Sequence, residues 1–217
     1  MLINKYKWKF KTKGSVNSPI LDENSIYFGD NEGYLYSLDK KTSNKKWHFK
    51  TKGAIYCKPA ISDGLIYFGS KDNYFYAVDL QDGTEHWKFK VGNWIVSTPV
   101  ICEDIVYFGS NDNNLYALDK KTGKKKWSFN SGDILTSSPR IYKDSVIFGT
   151  DKLFSLNRIN GEKKWLYKPN NGLIGKIYIY NDIIYYGSVN VHLSLVNANN
   201  GASLWEFNIN CGSNNHF

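Results

Sequence analysis

The sequence YFGSNDNNLYALDKKTGKKKW, from Tyr107 to Trp127, decides the fold of this chain. It contains two short segments rich in aromatic and aliphatic residues with a polar turn between them, then a turn rich in lysine and glycine, and finally a tryptophan. Similar stretches end at four other tryptophans, namely Trp47, Trp87, Trp165 and Trp205. A pattern that returns at a fixed spacing is a structural repeat, so the fold is predicted from the repeat first.

Three features keep the same spacing along the chain. Tryptophans at positions 8, 47, 87, 127, 165 and 205 lie 39, 40, 40, 38 and 40 residues apart. Prolines stand at positions 19, 59, 99 and 139, and Ile177 takes the corresponding position of the fifth repeat. Pairs of an aromatic residue and glycine follow the same rhythm, at Phe28-Gly29, Phe68-Gly69, Phe108-Gly109, Phe148-Gly149 and Tyr186-Gly187.

Each repeat is predicted to hold four short strands, which in the third repeat are Ser97 to Ile101, Ile105 to Gly109, Leu115 to Asp119 and Lys125 to Asn130. Gly, Asn, Asp and Ser bound these segments, as in an antiparallel meander, and no window shows helical periodicity. A repeated four-stranded meander is typical of a β-propeller, whose blades bury their faces against one another. The sequence therefore predicts one all-β domain, residues 1–217, with five blades at about 15–50, 54–90, 94–130, 134–168 and 173–209.

The N-terminal segment from Tyr6 to Thr12, YKWKFKT, matches the fourth strand of a blade. The chain then has six fourth strands for five blades. Either this extra outer strand closes the ring by pairing with another blade, or the chain is an arc of a larger ring that a second chain completes. We favour a compact five-blade unit, as a monomer or as a homo-oligomer that completes the ring.

The composition and the N-terminal sequence indicate where in the cell the protein is expected. No run approaches the roughly 18 apolar residues that a membrane-spanning helix needs, and the N-terminus lacks the apolar block of a signal peptide. A cytoplasmic location is therefore expected, or an extracytoplasmic one if the native N-terminus lies upstream. Cys57, Cys102 and Cys211 form no CxxC pair, which argues against a zinc site or a disulfide scaffold.

The formal net charge of +8 comes largely from lysine in repeated turns. Such turns are usually a solvated surface. They could instead form a basic face for nucleic acid, but no aromatic stacking platform is interleaved with them, so nucleic acid is not the expected partner. The basic residues of this alternative are Lys40, Lys41, Lys45, Lys46, Lys120, Lys121, Lys124, Lys125, Lys126, Arg158, Lys163 and Lys164.

The stretch from Gly109 to Trp127 resembles the quinoprotein-type repeat, also called the PQQ-like repeat, and the resemblance extends over nearly the whole chain. It implies that the repeated tryptophan docks between adjacent blades, at Trp47, Trp87, Trp127, Trp165 and Trp205. It also implies that an Asp or Asn shapes the turn before the fourth strand, at Asp39, Asp79, Asp119, Asn157 and Asn197.

The resemblance leaves the function open, because the family includes both quinone-dependent dehydrogenases and a lipoprotein of outer-membrane assembly. The dehydrogenases use adjacent cysteines, a calcium ion and a catalytic Asp. This sequence has no adjacent cysteines, and its aspartates stand mostly in turns. PQQ and calcium are therefore expected only under the enzymatic alternative. The lipoprotein needs a secretion signal and a lipidated N-terminal cysteine, which this sequence also lacks.

The histidines and the Asp- and Asn-rich turns give little support for a metal or catalytic site. The four histidines have no metal-ligand spacing, and His48 and His86 are read as surface positions beside the repeated tryptophan. The Asp- and Asn-rich turns, such as Asp30 to Gly33, could offer oxygen atoms to calcium, but a tight hairpin at this position requires the same residue types.

A binding site is expected where the repeats differ, because residues shared by all repeats maintain the fold. Lys58 stands just before the repeated proline and Arg140 just after it, where other repeats have small or apolar residues. Trp94 and Tyr56 lie in loops that enter the first strands of blades three and two. We predict that Tyr56, Lys58, Trp94 and Arg140 form one mouth near the central channel, suited to an anionic or aromatic ligand or to an acidic peptide. The expected function is a non-catalytic binding scaffold.

Overall fold

The computed structural model describes residues 8–169, 174–188 and 192–208, and within these ranges the chain folds into strands without any helix. No membrane-spanning helix is therefore present in the described part of the chain. In chain order the strands are β1 (Ile20–Leu21), β2 (Ser25–Gly29), β3 (Tyr34–Asp39), β4 (Lys45–Lys50), β5 (Ala60–Ser62), β6 (Leu65–Gly69), β7 (Tyr74–Asp79), β8 (Glu85–Lys90), β9 (Val100–Cys102), β10 (Ile105–Gly109), β11 (Asn114–Asp119), β12 (Lys125–Asn130), β13 (Arg140–Tyr142), β14 (Ser145–Gly149), β15 (Leu153–Asn157), β16 (Lys163–Tyr167), β17 (Ile174–Tyr180), β18 (Ile183–Ser188), β19 (His192–Asn197) and β20 (Ser203–Asn208).

Every four consecutive strands form one antiparallel sheet in sequence order. We number these sheets as blades one to five, starting with β1–β4 and ending with β17–β20. The predicted all-β architecture of five four-stranded blades is confirmed. The sheets pack face to face, as the parallel stacking of Phe75 in blade two on Phe108 in blade three shows, with ring centroids 3.9 Å apart.

The cores lie between blades rather than within them. In the described residues, four clusters of buried side chains join blade one to two, two to three, three to four, and four to five. No such cluster joins blade five to blade one. The described chain is therefore an arc of a propeller, with two terminal blades.

A turn stabilised by its own side chains precedes each fourth strand. In blade three, Asp119 Oδ1 accepts hydrogen bonds from the backbone N–H groups of Lys121 and Thr122 and from the Thr122 hydroxyl. Gly123 follows with φ +68, a conformation that glycine adopts without steric cost. We call this Asp/Asn-X-X-X-Gly segment the receiving turn, because the preceding part of the chain contacts it. In blade one Ser43, with φ +62, takes the place of the glycine.

The repeated tryptophan makes that contact. Trp87 Nε1 donates a hydrogen bond to the Lys120 carbonyl of the next blade at 3.0 Å, and its ring lies over Gly123, where an added Cβ would be 2.7 Å from the indole. The same arrangement brings Trp47 to Leu80, Trp127 to Arg158 and Trp165 to Ala198. Four repeated tryptophans thus lie between blades.

Trp205 differs from the other four, although the resemblance assigned it the same docking role. Its side chain is 50% exposed, against 9% for Trp165. In the described residues no further blade follows blade five, so nothing covers the indole as blade five covers Trp165. The docking assignment does not apply to Trp205 within this arc.

The extra outer strand lies partly outside the described residues, and residues 8–12 are not in a β-strand. They nevertheless occupy the place of a fourth strand against blade one. Trp8 Nε1 donates to the Lys40 carbonyl at 3.2 Å, and the Phe10 ring packs edge-on against Tyr36. Residues 8–12 cover one face of blade one, and they form no strand pairing with another blade among the described residues.

Candidate functional site

A cavity of about 760 Å³ lies among the innermost strands of all five blades. Its walls include Ile20 of β1, Ala60 of β5, Val100 of β9, Arg140 of β13 and Ile177 of β17. Since each blade contributes its first strand, this cavity is the central channel that the repeat pattern predicted.

The sequence keeps the channel open in two ways. The first strands of blades one to four have only two or three residues, and the repeated prolines Pro59 and Pro99 line the cavity. Proline lacks an N–H group and therefore suits the free edge of a sheet, where it discourages another strand from pairing. In blades three and four, the Ser97 and Ser137 hydroxyls bond to Gly109 and Gly149 of the second strand and so fix the chain entering the cavity.

Cys57 makes the corresponding contact in blade two, where its Sγ accepts a hydrogen bond from Gly69 N at 3.2 Å. Complete burial raises the pKa of this thiol to about 11. Because the thiolate is the reactive form, Cys57 is a structural thiol rather than a nucleophile at neutral pH.

In the part of the chain that the structure describes, the charged residues of the cavity wall are all cationic. They are Lys58, Arg140 and Lys176, and no described lining residue is Asp or Glu. Hydroxyl groups complete the polar wall, from Ser18, Thr98, Thr136, Ser137, Ser138 and Tyr178. Ammonium, guanidinium and hydroxyl groups can all donate hydrogen bonds, so the wall matches an anionic ligand.

Arg140 has a structural role besides its position on the cavity. Its Nε donates to the Ile177 carbonyl at 3.2 Å and thereby joins the first strands of blades four and five. Blades three and four are joined in a similar way, since Thr98 N donates to the Ser138 hydroxyl at 3.0 Å. The cavity wall is thus braced between neighbouring blades, which limits the reorganisation needed to bind a ligand.

The predicted mouth divides into two places. Lys58 and Arg140 line the cavity, whereas Tyr56 and Trp94 do not. These two rings flank the ammonium group of Lys71, which lies 4.6 Å from the Tyr56 centroid and 4.0 Å from the Trp94 centroid. Both distances suit a cation–π contact. Tyr56 and Trp94 therefore belong to a separate surface feature on the loops that enter blades two and three.

Sequence reasoning missed Lys176, although a signal was present. Lys176 precedes Ile177, so it occupies the same position as Lys58 in a repeat that lacks the proline. Comparing only the four proline-containing repeats left it out. Lys71 was missed because it belongs to the polar hairpin turn, where lysine is common.

The carboxylates of two Asp-rich hairpin turns are engaged within the fold. Asp72 Oδ2 accepts hydrogen bonds from the Tyr76 hydroxyl and from Lys52 N, and Asp112 Oδ2 does so from the Tyr116 hydroxyl and Gly92 N. These carboxylates tie the hairpin between the second and third strands to the loop that enters the same blade. In the described part of the chain, no three His, Cys, Asp or Glu side chains are grouped to hold a metal ion.

The basic face is partly neutralised by acidic residues of the turns between first and second strands. Lys120 Nζ lies 2.7 Å from an Asp63 carboxylate oxygen, Arg158 lies 2.6 Å from Glu103, and Lys164 lies 2.6 Å from Asp144. Hydrogen bonds from these cations lower the pKa of Asp63, Glu103 and Asp144. Cations held in this way are less available to phosphates, which weakens the nucleic-acid alternative.

These features define an all-β propeller of PQQ-like repeats with a cationic central cavity. The chain belongs to the family described as outer membrane protein assembly factor BamB, whose model matches residues 47–210. The resemblance read from the sequence is thereby confirmed. No curated protein matches the chain.

Two solved structures share the fold. The computationally designed Ika8 protein superposes with a TM-score of 0.81 at 14% sequence identity, over 90% of this chain and 62% of that chain. BamB from Moraxella catarrhalis superposes with a TM-score of 0.64 at 18% identity, over 93% of this chain and 79% of that chain. The chain thus spans less than two thirds of the designed protein, and at these identities the likeness establishes the fold alone.

Proposed function

We propose that this protein is a non-catalytic propeller scaffold that binds an acidic segment of a partner protein in its central cavity. The observation that carries the proposal is the wall with Lys58, Arg140 and Lys176 and without any carboxylate. Membership of a family named for an assembly factor supports a protein-interaction scaffold in general terms. The ligand class comes from the cavity itself.

The size and form of the cavity support this proposal. A volume of about 760 Å³ is large enough to admit several side chains of an extended segment. The first strands also present a free edge to the cavity, because each pairs only with the second strand of its blade. Because the repeated prolines discourage strand pairing at this edge, an extended acidic segment would be held mainly by the three cations.

Nothing on the cavity wall favours the enzymatic alternative. A bound calcium ion prefers carboxylate and carbonyl oxygens, and a general base is most often a His, Asp or Glu. The described lining residues include none of these side chains. Binding is the chemistry that this set of side chains supports best.

The proposal is tested with hexaglutamate as the probe and hexaglutamine as its uncharged control, titrated calorimetrically at low and at physiological salt. Hexaglutamate is expected to bind more weakly as salt rises, because screening acts over roughly 8 Å at 0.15 M. The Lys58→Ala, Arg140→Ala double variant should lose about tenfold or more in affinity, since two charge-assisted contacts disappear. Hexaglutamine should not bind.

The matched control is the Lys41→Ala, Lys121→Ala double variant, which removes two exposed lysines from the receiving turns of blades one and three. Its affinity should stay within about twofold, because these residues do not line the cavity. The single variant Lys58→Ala is measured as well, because it keeps the hydrogen bond from Arg140 to Ile177 that joins blades four and five. A loss of affinity in this variant cannot result from loosening of that contact. Equal affinities for the two double variants would refute a cavity site.

A further inference from the structure

The outward face of blade five carries the hydrogen-bond donors that dock blades one to three. Blade four has Ile147 at the tyrosine position, and of the pair only its Trp165 donates to the next blade. In blade two, the Tyr67 hydroxyl and Trp87 Nε1 both donate to the Lys120 carbonyl, at 3.1 Å and 3.0 Å. In blade three, Tyr107 and Trp127 both donate to the Arg158 carbonyl. Blade one repeats this with Tyr27 and Trp47 on the Leu80 carbonyl. We call each such Tyr and Trp a docking pair, since their two donors share one carbonyl of the next receiving turn.

Blade five has the same docking pair without a receiving turn. Tyr185 aligns with Tyr107, and Trp205 aligns with Trp127. Among the residues that the structure describes, no carbonyl accepts a hydrogen bond from either side chain. The Trp205 ring instead stacks on Phe207 with centroids 5.4 Å apart, and both rings are about half exposed.

The apolar part of this face is also uncovered. Leu193 is 37% exposed, whereas its equivalents Leu35, Phe75, Leu115 and Leu153 are fully buried by the following blade. The four internal interfaces therefore show what chemistry covers such a face. It is a turn of the form Asp/Asn-X-X-X-Gly, in which the carbonyl of the first X accepts the tryptophan N–H, and also the tyrosine hydroxyl where the blade has one. The glycine leaves room for the indole.

We infer that the blade-five face, formed by Tyr185, Leu193, Trp205 and Phe207, docks a propeller blade of another polypeptide that presents a free receiving turn. The segment at residues 8–10 shows that a receiving turn can be engaged by something less than a full blade. Trp8 donates to Lys40, and Phe10 packs on Tyr36, as Trp47 and Phe49 engage blade two.

A second folded copy of this chain does not fit that role. All five of its receiving turns are already engaged, because the carbonyls of Lys40, Leu80, Lys120, Arg158 and Ala198 each accept a tryptophan N–H. The fitting partner is therefore a blade whose receiving turn no tryptophan already occupies.

The probe for this inference is a fluorescein-labelled cyclic peptide with the sequence of residues 114–130, which contains the most regular receiving turn. Asn114 and Asn130 are paired in the sheet, so a D-Pro-Gly linker can join the two ends. NMR verifies the hairpin before use. The matched control peptide carries Gly123→Val, which places a side chain where the docking indole must lie.

Fluorescence anisotropy is expected to show saturable binding of the first peptide to the protein and none of the Gly123→Val peptide. Tyr185→Phe should weaken binding about fivefold, the equivalent of one hydrogen bond. Trp205→Ala should weaken it about tenfold or more. Ile159→Ala, which alters an exposed apolar side chain elsewhere, should leave binding unchanged.

Two results would overturn the inference. One is a verified hairpin that binds wild type and Trp205→Ala equally or binds neither. The other is a sedimentation experiment on the protein alone that shows a dimer which Trp205→Ala abolishes, because the occupant would then be a second copy. A monomer in both variants supports a different polypeptide as the partner.

Discussion

Replacing Trp165 with alanine is expected to lower the free energy of unfolding by roughly 3 to 5 kcal/mol, the usual cost of removing a large buried aromatic side chain. Trp165 is 9% exposed, lies over Gly201 of blade five and donates to the Ala198 carbonyl at 3.2 Å. Its loss leaves a cavity between two blades and an acceptor without its donor. Urea denaturation followed by circular dichroism measures the change.

Trp205→Ala is the matched control, because it removes the same residue from the same position of the next repeat. Its side chain is 50% exposed, so a cost of about 1 kcal/mol or less is expected. Equal losses at Trp165 and Trp205 would show that the destabilisation reflects the residue type and not its position between blades.

The second large effect is expected from Gly83→Ala, which changes the receiving turn and leaves the docking tryptophan in place. Gly83 has φ +75, and a Cβ there would lie 2.5 Å from the Trp47 indole. The left-handed backbone alone costs an alanine about 1 to 2 kcal/mol. Displacing the indole should raise the total to roughly 2 to 5 kcal/mol, since overpacking a filled site typically adds about 1 to 3 kcal/mol.

Gly64 supplies the control within the same blade. It has the same φ of +75, but no atom lies within 4 Å of the added Cβ. Gly64→Ala should therefore show the backbone cost alone. Thermal melting of the two variants side by side measures the difference. If Gly64→Ala were as destabilising as Gly83→Ala, steric exclusion at the tryptophan would have no part in the effect.

The blades could be predicted from the sequence because tryptophan, proline and aromatic-Gly pairs recur at nearly constant offsets. Each offset corresponds to one contact that every internal blade repeats, such as Trp87 on the receiving turn of blade three. What the repeat could not predict is where the arc stops. Trp205 stands at the same repeat position as Trp165, and the exposure of its indole follows from the absence of a following blade in the described structure.

The candidate site was predicted in part. Lys58 and Arg140 flank the repeated proline at the start of a first strand. Because the first strand of every blade lies at the channel, residues at this position line it. Tyr56 and Trp94 stand in loops, where the offset from the proline does not tell whether a side chain turns toward the channel. Their rings contact Lys71 instead. Lys71 belongs to the hairpin turn between β6 and β7, so the contact depends on how that turn lies against the two loops. Regular strands thus position side chains predictably, and loops do not.

Ligands are expected to bind where the repeats diverge, at the first strands, and not at the regular lysine-rich turns. Hydrogen–deuterium exchange with and without saturating hexaglutamate tests this location most directly. We expect slower exchange of amides in β5, β13 and β17, which border the cationic cavity, and unchanged exchange in residues 119–126. Protection confined to residues 119–126, with the first strands unaffected, would contradict it.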